Sequence, residues 1–149
     1  MSGSLRPGSH VAMRTLFQTF YVSRASAPFD SAAVQSILQA SRRNNARADI
    51  TGCLLFSGRC FAQALEGETS AVKALIARIA RDGRHGSIRV LSETPRVERE
   101  YADWSMGFLH DLNLEDDLEM LLMIPGHSPV VVAEVMERMR PDPVMGALR

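Results

Sequence analysis

The residue that most constrains the fold of this chain is a glutamine set in an apolar strand: Gln63, in the run Phe61-Ala62-Gln63-Ala64-Leu65-Glu66-Gly67. Alternation with period two puts Phe61, Gln63 and Leu65 on one face, and two large hydrophobes beside the amide mark that face as buried. A buried primary amide carries two donors and an acceptor, and each one left unpaired costs about 1 to 3 kcal/mol. A fold for this sequence must therefore bring polar groups inside, against the middle of a strand. Two readings meet that demand: a structural glutamine bonded to backbone or water, and an amide that faces a ligand.

The rest of the chain alternates strands and helices. Residues 15–23 (TLFQTFYVS) are rich in β-branched and aromatic types and read as a strand. After a loop containing Pro28, Asp30 can cap a helix with Val34, Ile37, Leu38 and Ser41 at helical spacing, and the polar run 42–49 reads as its end and a connection. Residues 50–56 and 59–65 flank Ser57-Gly58, a two-residue hairpin signal. Thr69 or Ser70 caps a second helix, with Val72, Leu75, Ile76 and Ile79 on one side, which ends near Asp82-Gly83. Residues 88–92 read as a strand, 95–99 as a loop and 103–109 as a last strand. The order βαββαββ predicts an α+β, ferredoxin-like sheet with two helices on one face. Two more one-sided apolar helices follow, over 114–124 capped by Asn113 and over 130–140 opened by Ser128-Pro129. The other sheet face, lined by the small Cys60, Ala62 and Ala64, is the surface left for these two C-terminal helices to pack on.

Composition narrows the class. At 149 residues, 46% hydrophobic, with 17 basic against 17 acidic side chains, the chain is sized for one domain with a proper core. Its charges are balanced and scattered, which argues against direct nucleic-acid binding, and no apolar run is long enough to span a membrane. Cys53 and Cys60 fall in one hairpin; with no signal-peptide pattern, free thiols in a reducing cytoplasm are expected. His10, His85, His110 and His127 show no metal-ligand spacing, so no metal is expected.

In the predicted topology Tyr21, Asn44, Asn45, Arg84 and His85 gather near Gln63. Each has an ordinary explanation, as a core tyrosine, a C-cap pair and a helix-dipole partner. Taken together, Tyr21 in FYVSRAS, Ser41 to Asn45 followed by Ile50-Thr51-Gly52, Gln63 in FAQALEG, Arg84-His85 and Trp104-Ser105-Met106 resemble the BLUF family of blue-light receptors using flavin. The resemblance runs in order over residues 13–109, and its most specific part is the combination of Tyr21, Asn45, Gln63 and the Trp-x-Met run.

That resemblance implies FAD held non-covalently between the first two helices, with FMN or riboflavin able to replace it in recombinant material. Ile37 and Ile79 would wall the ring, with Ser41 close by, Asn45 on its pyrimidine edge and Asn44 beside it. Arg84 and His85 would meet the ribityl phosphate end, and Tyr21, Gln63 and Met106 would adjoin the ring. The implied photocycle is electron and proton donation from Tyr21, then recombination of a short-lived radical pair after the Gln63 amide has rotated or tautomerised, giving a small red shift. Trp104 and Met106, expected on the same side of the last strand, would relay the change to the C-terminal helices and on to an unidentified protein partner. The implied protein is a cytoplasmic photoreceptor and signal transducer, not an enzyme, and a homodimer is compatible with it. Its organisation would be a vector-derived or disordered stretch over 1–12, a flavin-binding domain over 13–110, a helical extension over 111–140 and a flexible tail over 141–149. The alternatives are a light-independent ferredoxin-like binding or oligomerisation module that has lost flavin, and a small phosphate-binding hydrolase. The hydrolase ranks lower because residues 24–29 contain no glycine for an anion-binding loop.

Overall fold

The computed structural model describes residues 16–26, 30–124, 126 and 128–141; the expectations for residues 1–12, Thr15, Pro28, His127 and the tail past residue 141 fall outside these. The elements are β1 (Leu16–Ala25), α1 (Ser31–Arg47), β2 (Thr51–Phe56), β3 (Cys60–Glu68), α2 (Thr69–Ala80), β4 (His85–Arg96), β5 (Gly107–His110), a 3-10 turn (Leu112–Leu114), α3 (Glu115–Met123) and α4 (Pro129–Met139). They form one five-stranded sheet in the order β4-β1-β3-β2-β5. β5 runs parallel to β2 and every other pairing is antiparallel. The fold is thus α+β and ferredoxin-like, with the expected βαββαββ order.

The hairpin between β2 and β3 turns at Ser57-Gly58. Ser57 N–H bonds the Cys60 carbonyl at 2.9 Å, and Gly58 has φ 116°, where a side chain would be strained. From this turn the period of two sorts residues onto two faces. On one face Phe17, Tyr21, Leu54, Phe61, Leu65 and Met106 pack with Val34 and Leu38 of α1 and Val72 of α2. On the other, Phe20, Val22, Cys53, Leu55, Cys60, Ala62 and Ala64 pack with Leu118, Leu121 and Leu122 of α3 and Val135 and Met139 of α4. The small residues at 60, 62 and 64 receive the C-terminal helices, as their sizes predict.

Several boundaries differ from the sequence expectation for local reasons. Helix α1 continues through the polar run to Arg47 and stops only where Asp49 takes φ 56°, because Asn45, a buried member of that run, extends the inward stripe by two turns from Leu38. Helix α2 is capped by Glu68, whose carboxylate accepts from Ala71 N–H, one residue ahead of Thr69. Strand β4 is longer than 88–92 because β1 offers it ten residues of edge; it carries irregularities on both sides of Tyr21 and tolerates Pro95 near its end. The 3-10 turn leading into α3 is capped by Asp111, not Asn113: its carboxylate accepts from Asn113 N–H at 3.0 Å. Ser128 caps α4 through Val131 N–H, with Pro129 at the first helical position as expected.

Candidate functional site

A cavity of about 270 Å³ lies between α1, α2 and the sheet. Its polar wall comes from adjacent strands: Tyr21 on β1 is paired in register with Gln63 on β3, so their side chains emerge side by side on the α1/α2 face. The Tyr21 hydroxyl donates to Gln63 Oε1, both groups being nearly inaccessible to solvent. The amide nitrogen of Gln63 points the other way, 3.3 Å from Met106 Sδ, a weak acceptor. Gln63 therefore has one strong partner and one weak one. Burial raises the pKa of Tyr21, with Asp82 adding to the effect, so the phenol stays protonated and remains a donor.

The apolar walls are Ile37 on α1, Leu75 and Ile79 on α2, with Leu54 and Phe61 beneath. Both isoleucines and Leu75 are only half-buried, although they lie on the inner sides of their helices. Ala40, Ser41, Asn44 and Asn45 continue the α1 wall. Asn45 is 3% exposed and donates through Nδ2 to the Ser105 carbonyl at 2.9 Å.

The mouth is charged. Arg84 wraps Asp82, with Nε 3.0 Å from both carboxylate oxygens and Nη2 2.5 Å from Oδ2, and Arg78 stands on the same rim. The Arg84 hydrogen bonds hold the Asp82 carboxyl down at about 2. His85 sits deeper. Its Nε2 lies 3.1 Å from the Ile79 carbonyl, which can only accept, so Nε2 carries the proton and Nδ1 faces the buried Ser23 hydroxyl at 2.7 Å. Burial lowers its pKa, in keeping with a neutral ring.

The structure thus brings Tyr21, Ile37, Ser41, Asn44, Asn45, Gln63, Ile79, Arg84 and His85 around one cavity, with Met106 against Gln63 behind its wall. Trp104 is elsewhere. Alternation along a strand over 103–109 predicts Trp104 and Met106 on the same side, but β5 starts only at Gly107, and the irregular segment before it turns the two residues to opposite faces. Met106 joins the core under α1 and α2, whereas Trp104 joins the core under α3 and α4 and packs its ring 5.9 Å from that of Tyr101. Three consecutive carbonyls of this segment are held from outside it: Trp104 by Gly52 N–H at 2.9 Å, Ser105 by Asn45, and Met106 by Arg42 Nε at 2.9 Å.

Sequence reasoning missed Leu75, Arg78 and Asp82 on the wall and Arg42 behind it. Leu75 was legible as the helical neighbour of Ile79, and Arg42 as the i+4 neighbour of Leu38. Asp82 carries no signal beyond its spacing from Arg84. Cys53 and Cys60 are free and lie on the opposite face, with burial raising both thiols to about 12. Among the described residues one set of potential metal ligands comes together, Cys60 with Glu115 and Glu119, on that opposite face. Glu119 there is paired with Arg24, and Glu115 accepts from Ser57 and from Arg59 N–H. No helix among the described residues is long and apolar enough to cross a membrane.

Residues 16–107 match the family model described as "BLUF: Sensors of blue-light using FAD". The photoactivated adenylate cyclase subunit beta of Euglena gracilis is 36% identical over 93 residues, 62% of this chain and 11% of that protein. The blue light- and temperature-regulated antirepressor BluF of Escherichia coli K12 is 38% identical over 88 residues, 59% of this chain and 22% of that protein. The chain therefore spans only a small part of these curated relatives. Among solved structures, the dark-state structure of BlrB, a BLUF protein, superposes with a TM-score of 0.71 at 32% identity, covering 91% of this chain and 99% of that one.

Proposed function

The chain belongs to the BLUF family of flavin-using blue-light sensors, and on that premise we propose that it binds FAD non-covalently between α1 and α2 and senses light through Tyr21 and Gln63. The observation that carries this reading is the position of Gln63: an amide on a cavity wall, tied to a tyrosine hydroxyl at one end and only to a thioether at the other. The surroundings fit a flavin. Half-buried Ile37 and Ile79 suit the faces of a planar ring, Asn45 and Asn44 suit the edge of its pyrimidine, and Arg84 with Arg78 suits a phosphate. A bound flavin would supply visible absorption and, once excited, the oxidising power that the side chains lack.

The residues then have definite tasks. Tyr21 would give up an electron to the excited flavin, and its hydroxyl proton would move along the existing bond to Gln63 Oε1. When the electron and proton return, the Gln63 amide is left rotated or tautomerised. Rotation costs little on the Met106 side, because a thioether accepts weakly, and it turns Nε2–H toward the Tyr21 oxygen. Met106 and the segment from Trp104 onward carry the altered contact to α3 and α4, and from there to a partner. The flavin-holding unit runs over residues 13–110 and the helices within 111–140 are its output extension, a division supported by the extent of the family match. The protein acts as a sensor and not as a catalyst, and neither Cys53 nor Cys60 takes part.

Purified protein reconstituted with FAD, FMN and riboflavin in parallel is expected to show a reversible red shift under blue light, with FAD bound at least as well as the other two. Gln63→Leu should bind flavin and lose the shift, and Tyr21→Phe should lose the ordinary red-shifted state while keeping flavin. A protein that stays colourless with all three flavins defeats the proposal and favours a light-independent module; a Gln63→Leu variant with a normal photocycle defeats the assigned trigger.

A further inference from the structure

Met106 is held by more than its side chain. Its sulfur touches the Gln63 amide, while its carbonyl accepts a hydrogen bond from Arg42 Nε on α1, 64 residues away in sequence. The segment ahead of β5 has no regular pairing of its own, so the place of Met106 depends on what grips it from outside. Arg42 is half-buried, one residue past Ser41 on the cavity wall and three before Asn45, so a single turn of α1 touches both the cavity and the Ser105 and Met106 carbonyls.

We propose that Arg42 is a positioning residue of the photocycle: by donating Nε–H to the Met106 carbonyl it sets Met106 Sδ against Gln63, and it links α1 to the output segment without passing through Gln63. This rests on the photochemical role assigned above to Gln63 and Met106. In the dark arrangement the bond stabilises Met106 in place, and recovery from the lit state must restore it. An arginine on a helix is ordinarily a solvated charge; here the secondary nitrogen close to the chain is the one engaged, so the donor position matters more than the charge.

That distinction sets the test. Arg42→Met keeps a long side chain and removes the donor. Arg42→Gln removes the charge and keeps an N–H donor at the same remove from the backbone as Nε. Arg43→Met, on the exposed neighbour, controls for loss of positive charge from the helix. Two quantities are read in flavin-loaded protein: the dark-recovery half-time, and the methyl resonance of Met106 in protein labelled at methionine methyl carbons, assigned with Met106→Leu. Arg42→Met is expected to move the Met106 methyl signal and to slow recovery about fivefold, the weight of one net hydrogen bond. Arg42→Gln should stay within about twofold of the parent and Arg43→Met should match it. An Arg42→Met protein with an unmoved methyl signal and parental recovery overturns the inference, as does an Arg42→Gln protein that behaves like Arg42→Met. The methyl measurement needs no light, so wild-type protein without a red shift would sink the photochemical reading while the Arg42 contact is still judged on its own.

Discussion

Gly107 and Trp104 show how closely a single side chain is accommodated beside the segment ahead of β5. A β-carbon at Gly107 would fall 2.2 Å from Cε3 and 2.7 Å from Cζ3 of Trp104, inside any tolerable contact. The indole is wedged between this glycine and the Tyr101 ring and cannot yield without leaving its core. Gly107→Ala should therefore destabilise the protein by about 1 to 3 kcal/mol, the usual cost of overpacking. Because Trp104 is the one tryptophan of the chain, its fluorescence maximum should shift to the red as the ring is pushed toward water. An unmoved emission spectrum with an unchanged urea midpoint would show that the indole has room to spare. Glu66 is accommodated with similar care. Its fully buried carboxylate receives Gln18 Nε2 at 3.1 Å, Thr51 Oγ1 at 3.1 Å and the backbone N–H groups of Glu100 at 3.0 Å and Tyr101 at 2.5 Å, which fastens the start of the 99–106 segment to β3.

Helix α3 has two kinds of attachment to the sheet. Ionic and polar contacts run from Glu119 to Arg24 and from Glu115 to Ser57 and Arg59; apolar ones run from Leu118, Leu121 and Leu122 to the small residues of β3. Their magnitudes differ. A partly exposed ion pair such as Arg24–Glu119 contributes about 0 to 1 kcal/mol, whereas truncating a fully buried leucine costs about 2 to 5 kcal/mol. Leu118→Ala should accordingly lower stability by about 3 kcal/mol in urea unfolding and Glu119→Ala by less than about 1 kcal/mol. The reverse ranking would mean that charge, not burial, docks the helix. Both helices of the extension were legible in the sequence, since their stripes of Leu and Val follow helical spacing and the alanines of β3 leave room for them. The end of α1 was not: RRNNARAD has the composition of a loop, and only its spacing from Leu38 reveals that Arg42 and Asn45 continue an inward stripe. The opposed faces of Trp104 and Met106 were illegible for a related reason. Period-two reasoning holds inside a strand, and these residues precede one.

At the scale of the molecule, the site sits in the less completely filled of two cores. The β3 face toward α3 and α4 is filled by apolar side chains, while the face toward α1 and α2 contains the cavity and the hydrogen-bonded His85. His85 makes global stability depend on pH. Burial holds its pKa below the ordinary 6.5, an effect that Arg84 reinforces and that the Ile79 carbonyl and Asp82 oppose. In the window between the folded value and 6.5 the unfolded chain binds the extra proton, so stability rises with pH there. The contribution is complete above about pH 6.5 and is lost as pH falls through the lowered value. Urea midpoints taken from about pH 5 to pH 8 should show this slope, and His85→Asn should flatten it. A wild-type profile flat across that window would place the His85 proton elsewhere.

The twelve residues of β4 and the nine of β3 are long runs of sheet; the span from Trp104 to Met106 is only three residues, yet its ends are seated in different cores. With the Ser105 carbonyl held at 2.9 Å by Asn45, the span is fastened at its middle as well as at both ends. A contact that holds Trp104 from the side of α3 and α4 is therefore only two residues removed from the side chain that touches Gln63.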